Sequence, residues 1–349
     1  MIPDLNMTQW WAWIVCVLCL GVGILLLWKC SDIFVGGAAS IAKKLKVSTM
    51  IIGLTVVAFG TSCPELAVSV SDSISCLIAG GNANVAIGNV VGSNICNILI
   101  VLGISAIFTP IIVKKETLKK ELPIMIGATI LCILFVLLWG TSEGSYAILR
   151  WEGIILVVGI IAYVAFLIVS VRKQAKKGLS VESSEEEIEE LPTGKAILFT
   201  VLGLVGVIGG GEAVVYGAKN IATGIGTAAG LNPDLVESLV GLTIVAVGTS
   251  LPELIVSASA AKRGQNDMAL GNVIGSNIFN ILFVLGIAST VNPLTVGNQI
   301  WVDLVVMGAA TLLLLIFAFT GKIKKWGGWT FVLCYVGYLA YLIMRTLIK

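Results

Sequence analysis

Gly60-Thr61-Ser62-Cys63-Pro64-Glu65 sets two hydroxyls, a proline and a carboxylate in the middle of an apolar run long enough to cross a bilayer. Gly248-Thr249-Ser250-Leu251-Pro252-Glu253 repeats the pattern later in the chain. In hydrocarbon a proline interrupts the backbone hydrogen-bond ladder and an ionisable side chain is costly, so such groups persist where function requires them. The match extends outward. Gly53-Leu-Thr-Val-Val-Ala-Phe-Gly-Thr-Ser-Cys-Pro-Glu65 aligns with Gly241-Leu-Thr-Ile-Val-Ala-Val-Gly-Thr-Ser-Leu-Pro-Glu253 at an offset of 188 residues. Gly88-Asn-Val-Val-Gly-Ser-Asn-Ile-Cys-Asn97 aligns with Gly271-Asn-Val-Ile-Gly-Ser-Asn-Ile-Phe-Asn280 at 183, and Gly103 with Gly286 and Pro110 with Pro293 keep that offset. The chain is therefore an internal duplication. The five-residue difference places an insertion in the first copy, around Ser71 to Gly81.

The 349 residues are 57% hydrophobic and 12% charged, with a mean hydropathy of +1.02, which marks an all-α polytopic membrane protein. Apolar runs of about 20 residues or more begin near Trp10 (to Ala38), Thr49 (to Ala79), Val85 (to Phe108), Leu122 (to Trp139) and Trp151 (to Val171). Five more cover Ala196 to Ala222, Leu235 to Ala261, Met268 to Thr290, Ile300 to Phe319 and Trp326 to Met344. The expected domains are a first five-helix repeat (1–171), a charged linker (172–194) and a second repeat (195–349). The linker carries Arg172, Lys173, Lys176 and Lys177, then an acidic run from Glu182 to Glu190 that reads as a solvated connector.

Met1 to Gln9 hold no Lys or Arg, so the basic start of a cleaved signal peptide is missing and the first span is expected to act as its own insertion signal. With both termini outside, the inner loops collect Lys43, Lys44, Lys46, Lys114, Lys115, Lys119, Lys120, Lys195, Lys262, Arg263, Lys322, Lys324, Lys325 and the linker bases. Only Arg150, Lys219, Arg345 and Lys349 fall outside, so positive charge is expected to put both termini outside and the linker in the cytoplasm. Five spans per copy is an odd number, so the second copy enters the bilayer from the opposite face. Ten transmembrane helices as two inverted five-helix repeats, broken by proline at the centre, is the expected architecture, one that many secondary transporters use to build a mid-membrane site.

The chain has no histidine, which removes His-based metal sites, proton relays and Ser-His-Asp or Cys-His catalysis. An enzyme using Ser62 or Ser250 as nucleophile lacks both that base and a nearby lysine. Eight cysteines lie scattered in apolar segments without metal-ligand spacing and read as small buried hydrophobes, Cys63 inside the motif being the one of interest. A net charge of +2 offers no basic groove for nucleic acid, and no cofactor is expected.

Pro64 and Pro252 cannot donate to the carbonyls four residues back, those of Gly60 and Gly248. Helical spacing puts Thr61 with Glu65, and Thr249 with Glu253, on shared faces. Carbonyls, hydroxyls and carboxylates are hard oxygen donors, the set calcium prefers and sodium can use. No Lys or Arg lies in these segments until Lys262, so the glutamates have no local base to pair with. In the second motif Ser93 and Asn97, like Ser276 and Asn280, are four apart and read as lining the same cation site. Gly88 with Gly92, and Gly271 with Gly275, let helices approach closely, while Asn94 and Asn277 are expected to be packing or helix-break residues. Asp32 and Glu212 are candidate pathway residues near span ends, and Asp72 falls in the insertion.

These motifs, doubled across both halves, resemble the sodium/calcium exchanger branch of the cation/calcium antiporter superfamily, in its short prokaryotic form. The resemblance implies four ion sites clustered at mid-membrane, with calcium on Glu65, Glu253, Thr61 and Thr249. It implies sodium sites drawing on Ala58, Ser62, Ser93, Ala246, Ser250 and Ser276 together with both glutamates, the alanines through their carbonyls, and a central site completed by Asn97 and Asn280. Cys63 replaces the more usual leucine. Asn280 stands where some relatives carry aspartate and resembles potassium-independent members. Exchange of about three sodium ions per calcium ion is what the resemblance implies. Calcium/proton exchange on the same glutamates, and a calcium-permeable channel, are the alternatives.

Overall fold

The computed structural model describes residues 5–81, 83, 85–140, 145–176, 190–230, 246–297 and 299–347. Among these, eight helices are long and apolar enough to cross a membrane, and a ninth span arises if one bent pair is counted as a single crossing. The run expected from Leu235 to Ala261 begins outside the described residues, as does Gly241 to Val245 of the second motif.

Helix α1 spans Trp10–Leu45 and ends on a left-handed Lys46. The second crossing is assembled from α2 (Thr49–Ile52), a π-helical turn at Gly53–Val57, α3 (Ala58–Thr61) and α4 (Cys63–Ala79). The third joins α5 (Val85–Cys96), a π-turn at Asn97–Val101 and α6 (Leu102–Phe108). A short helix α7 (Lys115–Lys119) precedes α8 (Glu121–Leu138), and α9 (Arg150–Lys176) follows. The later part runs through α10 (Thr193–Ala228), α11 (Ala246–Thr249), α12 (Leu251–Lys262) and α13 (Asn266–Phe279). A π-turn at Asn280–Leu285, α14 (Gly286–Val291), α15 (Ile300–Phe319) and α16 (Lys325–Leu347) complete it.

Burial sorts these elements. In Val85–Phe108 and Asn266–Val291 the most apolar window is 78% and 83% buried, whereas in α1 and α10 it is 22% and 28%. The two motif crossings are thus the core, and α1 and α10 lie on the outside, packed along one another, their free faces apolar because lipid is the solvent. Their seam is close: a Cβ at Gly23 would lie 2.8 Å from the Gly210 carbonyl oxygen. At the end of this pair Leu191 donates to the Ser40 hydroxyl (3.0 Å) and Glu190 pairs with Lys43 (3.2 Å).

The break in each motif lies at the serine, two residues ahead of the proline. Ser62 has φ −84° and ψ 7°, Ser250 φ −88° and ψ 5°, both in the bridge region that ends a helix. The axis of Thr49–Thr61 turns by 45° onto Cys63–Ala79. Pro64 and Pro252 then occupy the first turn of α4 and α12, where the missing N–H has no carbonyl to serve. Helix α4 has 17 residues and α12 has 12, so the five-residue insertion is a lengthened helix rather than a loop.

Short strands tie the loops together. Strand β1 (Ile111–Ile112), after α6, pairs with β5 (Lys322–Ile323), after α15. Strands β2 (Trp139–Gly140) and β3 (Ser145–Ile148), after α8, join β4 (Leu294–Gly297), after α14. Each clip therefore links a loop of the earlier half to a loop of the later half. Lys114 adds an ion pair to Asp267 in the first turn of α13 at 2.5 Å.

Candidate functional site: a buried dicarboxylate cage

Both motif acids sit in the first turn of a helix, Glu65 in α4 and Glu253 in α12, where the partial positive charge of the helix N-terminus favours a carboxylate. Both are 0% exposed. The hydroxyls that meet each acid come largely from the other motif. Ser62 donates to Glu253 Oε1 at 3.2 Å and the Thr61 hydroxyl also lies beside Glu253. Thr249 lies beside Glu65, and Ser93 donates to Glu65 Oε1 at 3.4 Å. Each carboxylate feels the other's charge. Among the described residues no Lys or Arg forms an ion pair with either.

Several buried oxygens of the two motifs have no hydrogen-bond partner among the described residues: Glu65 Oε2, Glu253 Oε2, Ser250 Oγ, Ser276 Oγ and Asn280 Oδ1. Both polar atoms of the Asn97 side chain are equally unpaired. Buried polar groups are ordinarily satisfied, and the unpaired carboxylate oxygens of two buried glutamates call for a positively charged occupant. Two carboxylates with hydroxyl, amide and carbonyl oxygens make a hard donor set of the kind calcium takes in groups of about six to eight.

The structure joins Ser62 and Thr61 to Glu253, and Ser93 and Thr249 to Glu65, and it buries Ser250, Ser276, Asn97 and Asn280. Asn97 and Asn280 each open a π-turn, whose wider i→i+5 bonding is frequent at functional sites. The Ala58 carbonyl accepts the Ser62 N–H at 3.1 Å, and Ala246 opens α11. Asn94 does more than pack: its Oδ1 accepts from Asn280 Nδ2 at 3.2 Å and its Nδ2 donates to the Asn277 carbonyl at 3.4 Å. Asn277 itself bonds back to the Val273 carbonyl at 2.8 Å. Asp32 is a tie between α1 and α12, accepting from Ser259 Oγ (2.6 Å) and Arg263 Nε (3.5 Å). Glu212 is exposed on α10, with its charge acting on Glu65. Asp72 accepts from the Val85 N–H at 3.1 Å, at the start of α5.

Two residues of the second motif carry more than the spacing revealed. Asn89 Nδ2 donates to the Glu65 carbonyl (3.3 Å) and Ser69 Oγ (3.0 Å). Asn272 Nδ2 makes the equivalent bonds to the Glu253 carbonyl (3.4 Å) and Ser257 Oγ (2.8 Å). Their duplication was the available signal, together with serines one helical turn past each glutamate.

Cys63 is half-buried, donates weakly to the Phe59 carbonyl at 3.3 Å, and borders a cavity of about 390 Å³ lined by Leu66, Ala67, Val70, Phe283 and Ile287. N-Ethylmaleimide is expected to label Cys63 ahead of the fully buried Cys96 and Cys132, as read by peptide mass spectrometry. Equal labelling of the three would contradict this placement.

A family model for sodium/calcium exchanger protein matches the chain twice, over residues 15–169 and 195–344. The chain belongs to this family. The sodium/calcium exchanger MaX1 of Methanosarcina acetivorans is 36% identical, covering 92% of this chain and 96% of the relative. The putative antiporter CaxA of Alkalimonas amylolytica is 39% identical, covering 91% and 95%. A solved structure of the sodium-calcium exchanger NCX_Mj, soaked with 2.5 mM Na+ and 0.1 mM Ca2+, superposes with a TM-score of 0.74 at 35% identity, over 94% of this chain and 98% of that one. As a sodium/calcium exchanger homologue the chain is an integral membrane transporter, not an enzyme. The two family matches leave out residues 170–194, the stretch that contains the charged linker.

Proposed function

We propose that this chain exchanges sodium for calcium across a prokaryotic cell membrane by alternating access, through ten spans arranged as inverted repeats 1–171 and 195–349 joined by a cytoplasmic linker. One observation carries the reading: Glu65 and Glu253 are fully buried, lack a basic partner among the described residues, and are interlaced by hydroxyls of the opposite motif. Calcium is held by Glu65, Glu253, Thr61 and Thr249. Sodium uses Ala58, Ser62, Ser93, Ala246, Ser250 and Ser276 with the same carboxylates, and Asn97 and Asn280 close the central site. The names of MaX1 and NCX_Mj, both sodium/calcium exchangers, support this assignment.

Two ionised glutamates give the cage a charge near minus two, which one calcium ion neutralises. A loaded cage can then pass through low-dielectric surroundings, while an empty one carries uncompensated charge and resists the passage. Sodium ions discharge the same oxygens, so the two cations compete and only loaded forms alternate. That competition is exchange. With three sodium ions per calcium ion the loaded cage carries one surplus positive charge, worth roughly 2.3 kcal/mol per 100 mV. Asn280 in place of a third acid leaves potassium without a role.

The test is calcium-45 uptake into proteoliposomes loaded with sodium, with pH clamped on both sides. An outward sodium gradient is expected to drive uptake, a valinomycin-set potential to change its rate in the direction of one net positive charge moving with sodium, and external potassium without valinomycin to leave it unchanged. Uptake driven by a proton gradient alone would favour proton exchange, and a rate indifferent to voltage would overturn the electrogenic stoichiometry.

A further inference from the structure

Asn94 and Asn277 hold equivalent places in the two copies of the second motif, as do Asn97 and Asn280, yet the side chains of the two copies are not bonded alike. Asn94, on α5, is 1% exposed and brackets Asn280 with both ends of its amide. Its Nδ2 donates to the Asn277 carbonyl at 3.4 Å, the same carbonyl that, with that of Ser276, accepts the Asn280 backbone N–H. Its Oδ1 accepts from Asn280 Nδ2 at 3.2 Å. A carbonyl can only accept, so the first bond decides which end of the Asn94 amide is nitrogen, and the second then decides it for Asn280. Asn280 Oδ1 is the end left over, buried and with no hydrogen-bond partner among the described residues. The other copy lacks this arrangement. Asn277 Nδ2 turns back to the Val273 carbonyl of its own helix at 2.8 Å, Asn277 Oδ1 is unpaired, and neither polar atom of the Asn97 side chain is bonded.

From this geometry we infer that Asn94 is a positioning residue for ion binding: it turns the Asn280 amide so that the oxygen, and not the amino group, is offered to the cation. The inference rests on the ion-cage reading of the site, in which Asn280 is a ligand. An amide has one end that attracts a cation and one that repels it, so an asparagine ligand needs a neighbour to settle which end faces inward. A carboxylate needs none, since both its ends are oxygen. With the amide held in place before the ion arrives, binding does not have to restrain it. Asn94 lies in the earlier half and Asn280 in the later one, so the readiness of this ligand depends on the helix of the opposite repeat.

Sodium binding is read in purified protein as the sodium concentration that gives half the maximal rise in melting temperature, with the ion-free melting temperature recorded separately as the measure of folding. Asn94→Leu keeps the bulk of the side chain without its polar ends and is expected to raise the sodium midpoint roughly tenfold, the scale of one hydrogen bond, as is Asn280→Ala. Asn277→Ala, at the equivalent place in the other copy, is expected to move the midpoint less than about twofold, because its side chain bonds only its own helix. In an Asn280→Asp background, adding Asn94→Leu is expected to raise the midpoint no further, since either carboxylate oxygen serves. A loss of packing alone would carry over into that background. Should Asn94→Leu not fold, Asn94→Ser takes its place, its hydroxyl ending one bond short of where Oδ1 stands. A rise from Asn280→Ala with none from Asn94→Leu, an equal rise from Asn277→Ala, or an Asn94→Leu effect that persists in the Asn280→Asp background would overturn the inference and leave the cage intact. If sodium does not stabilise the wild type, or Asn280→Ala leaves the midpoint unmoved, the cage reading fails at Asn280 and takes the inference with it, which is a distinct outcome.

Discussion

Glu65→Gln and Glu253→Gln are each expected to lower sodium-driven calcium uptake to about one hundredth of the wild-type rate or less, the scale of losing one partner from a buried charge pair. Glutamine keeps the volume of the side chain and an oxygen that can still accept from Ser93 or Ser62, so the helices keep their packing. What changes is charge. With one carboxylate the cage no longer neutralises calcium, and the loaded form carries a bare positive charge through low dielectric. The same variants are expected to be at least as stable as the wild type in ion-free detergent, because an uncompensated buried acid has been removed. Loss of transport with retained or raised melting temperature separates a ligand role from a folding role. Undiminished exchange in either variant would remove that glutamate from the mechanism.

The second large effect concerns folding. A Cβ on residue 271 would stand 2.6 Å from the Met50 carbonyl oxygen and 3.2 Å from the Gly53 Cα, and a Cβ on residue 53 would stand 2.6 Å from the Met268 carbonyl oxygen. The opposing atoms are backbone, so no rotamer change relieves the clash, and the elements that would have to part are the π-turn of the second crossing and α13. Gly271→Val is expected to cost more than about 3 kcal/mol, the upper range for overpacking. The measurement is the yield of monodisperse protein on size exclusion, expected to be nearly nil, with Gly271→Ala intermediate. A valine variant recovered at wild-type yield would mean that this crossing is looser than the distances say.

Much of this arrangement was legible in the chain because it is written twice. Hydropathy placed Val85 to Phe108 and Ile300 to Phe319 at the observed bounds, and the offset difference located an insertion that proves to be extra helix in α4. The proline and glutamate marked the break to within two residues. The π-turns at Gly53–Val57, Asn97–Val101 and Asn280–Leu285 left no trace, since moving one hydrogen bond from i−4 to i−5 alters neither composition nor apolar periodicity. The strand clips at Ile111–Ile112 and Lys322–Ile323 are two residues long, too short for alternation to register. Asn89 and Asn272 were visible as repeated asparagines, yet their bonds run to backbone carbonyls on another helix, and spacing within one helix does not say which neighbour it meets.

Glu65 and Glu253 leave a lasting mark on how the protein must be handled. A fold that closes around two unbalanced acids is expected to take part of its cohesion from dissolved salt, so that dialysis against a chelator in a low-salt buffer would strip out a structural component much as a reductant strips out a disulfide. Under the proposed function the ions being carried double as the mortar, and the molecule is expected to be at its most fragile in the brief interval between unloading one and taking up the next.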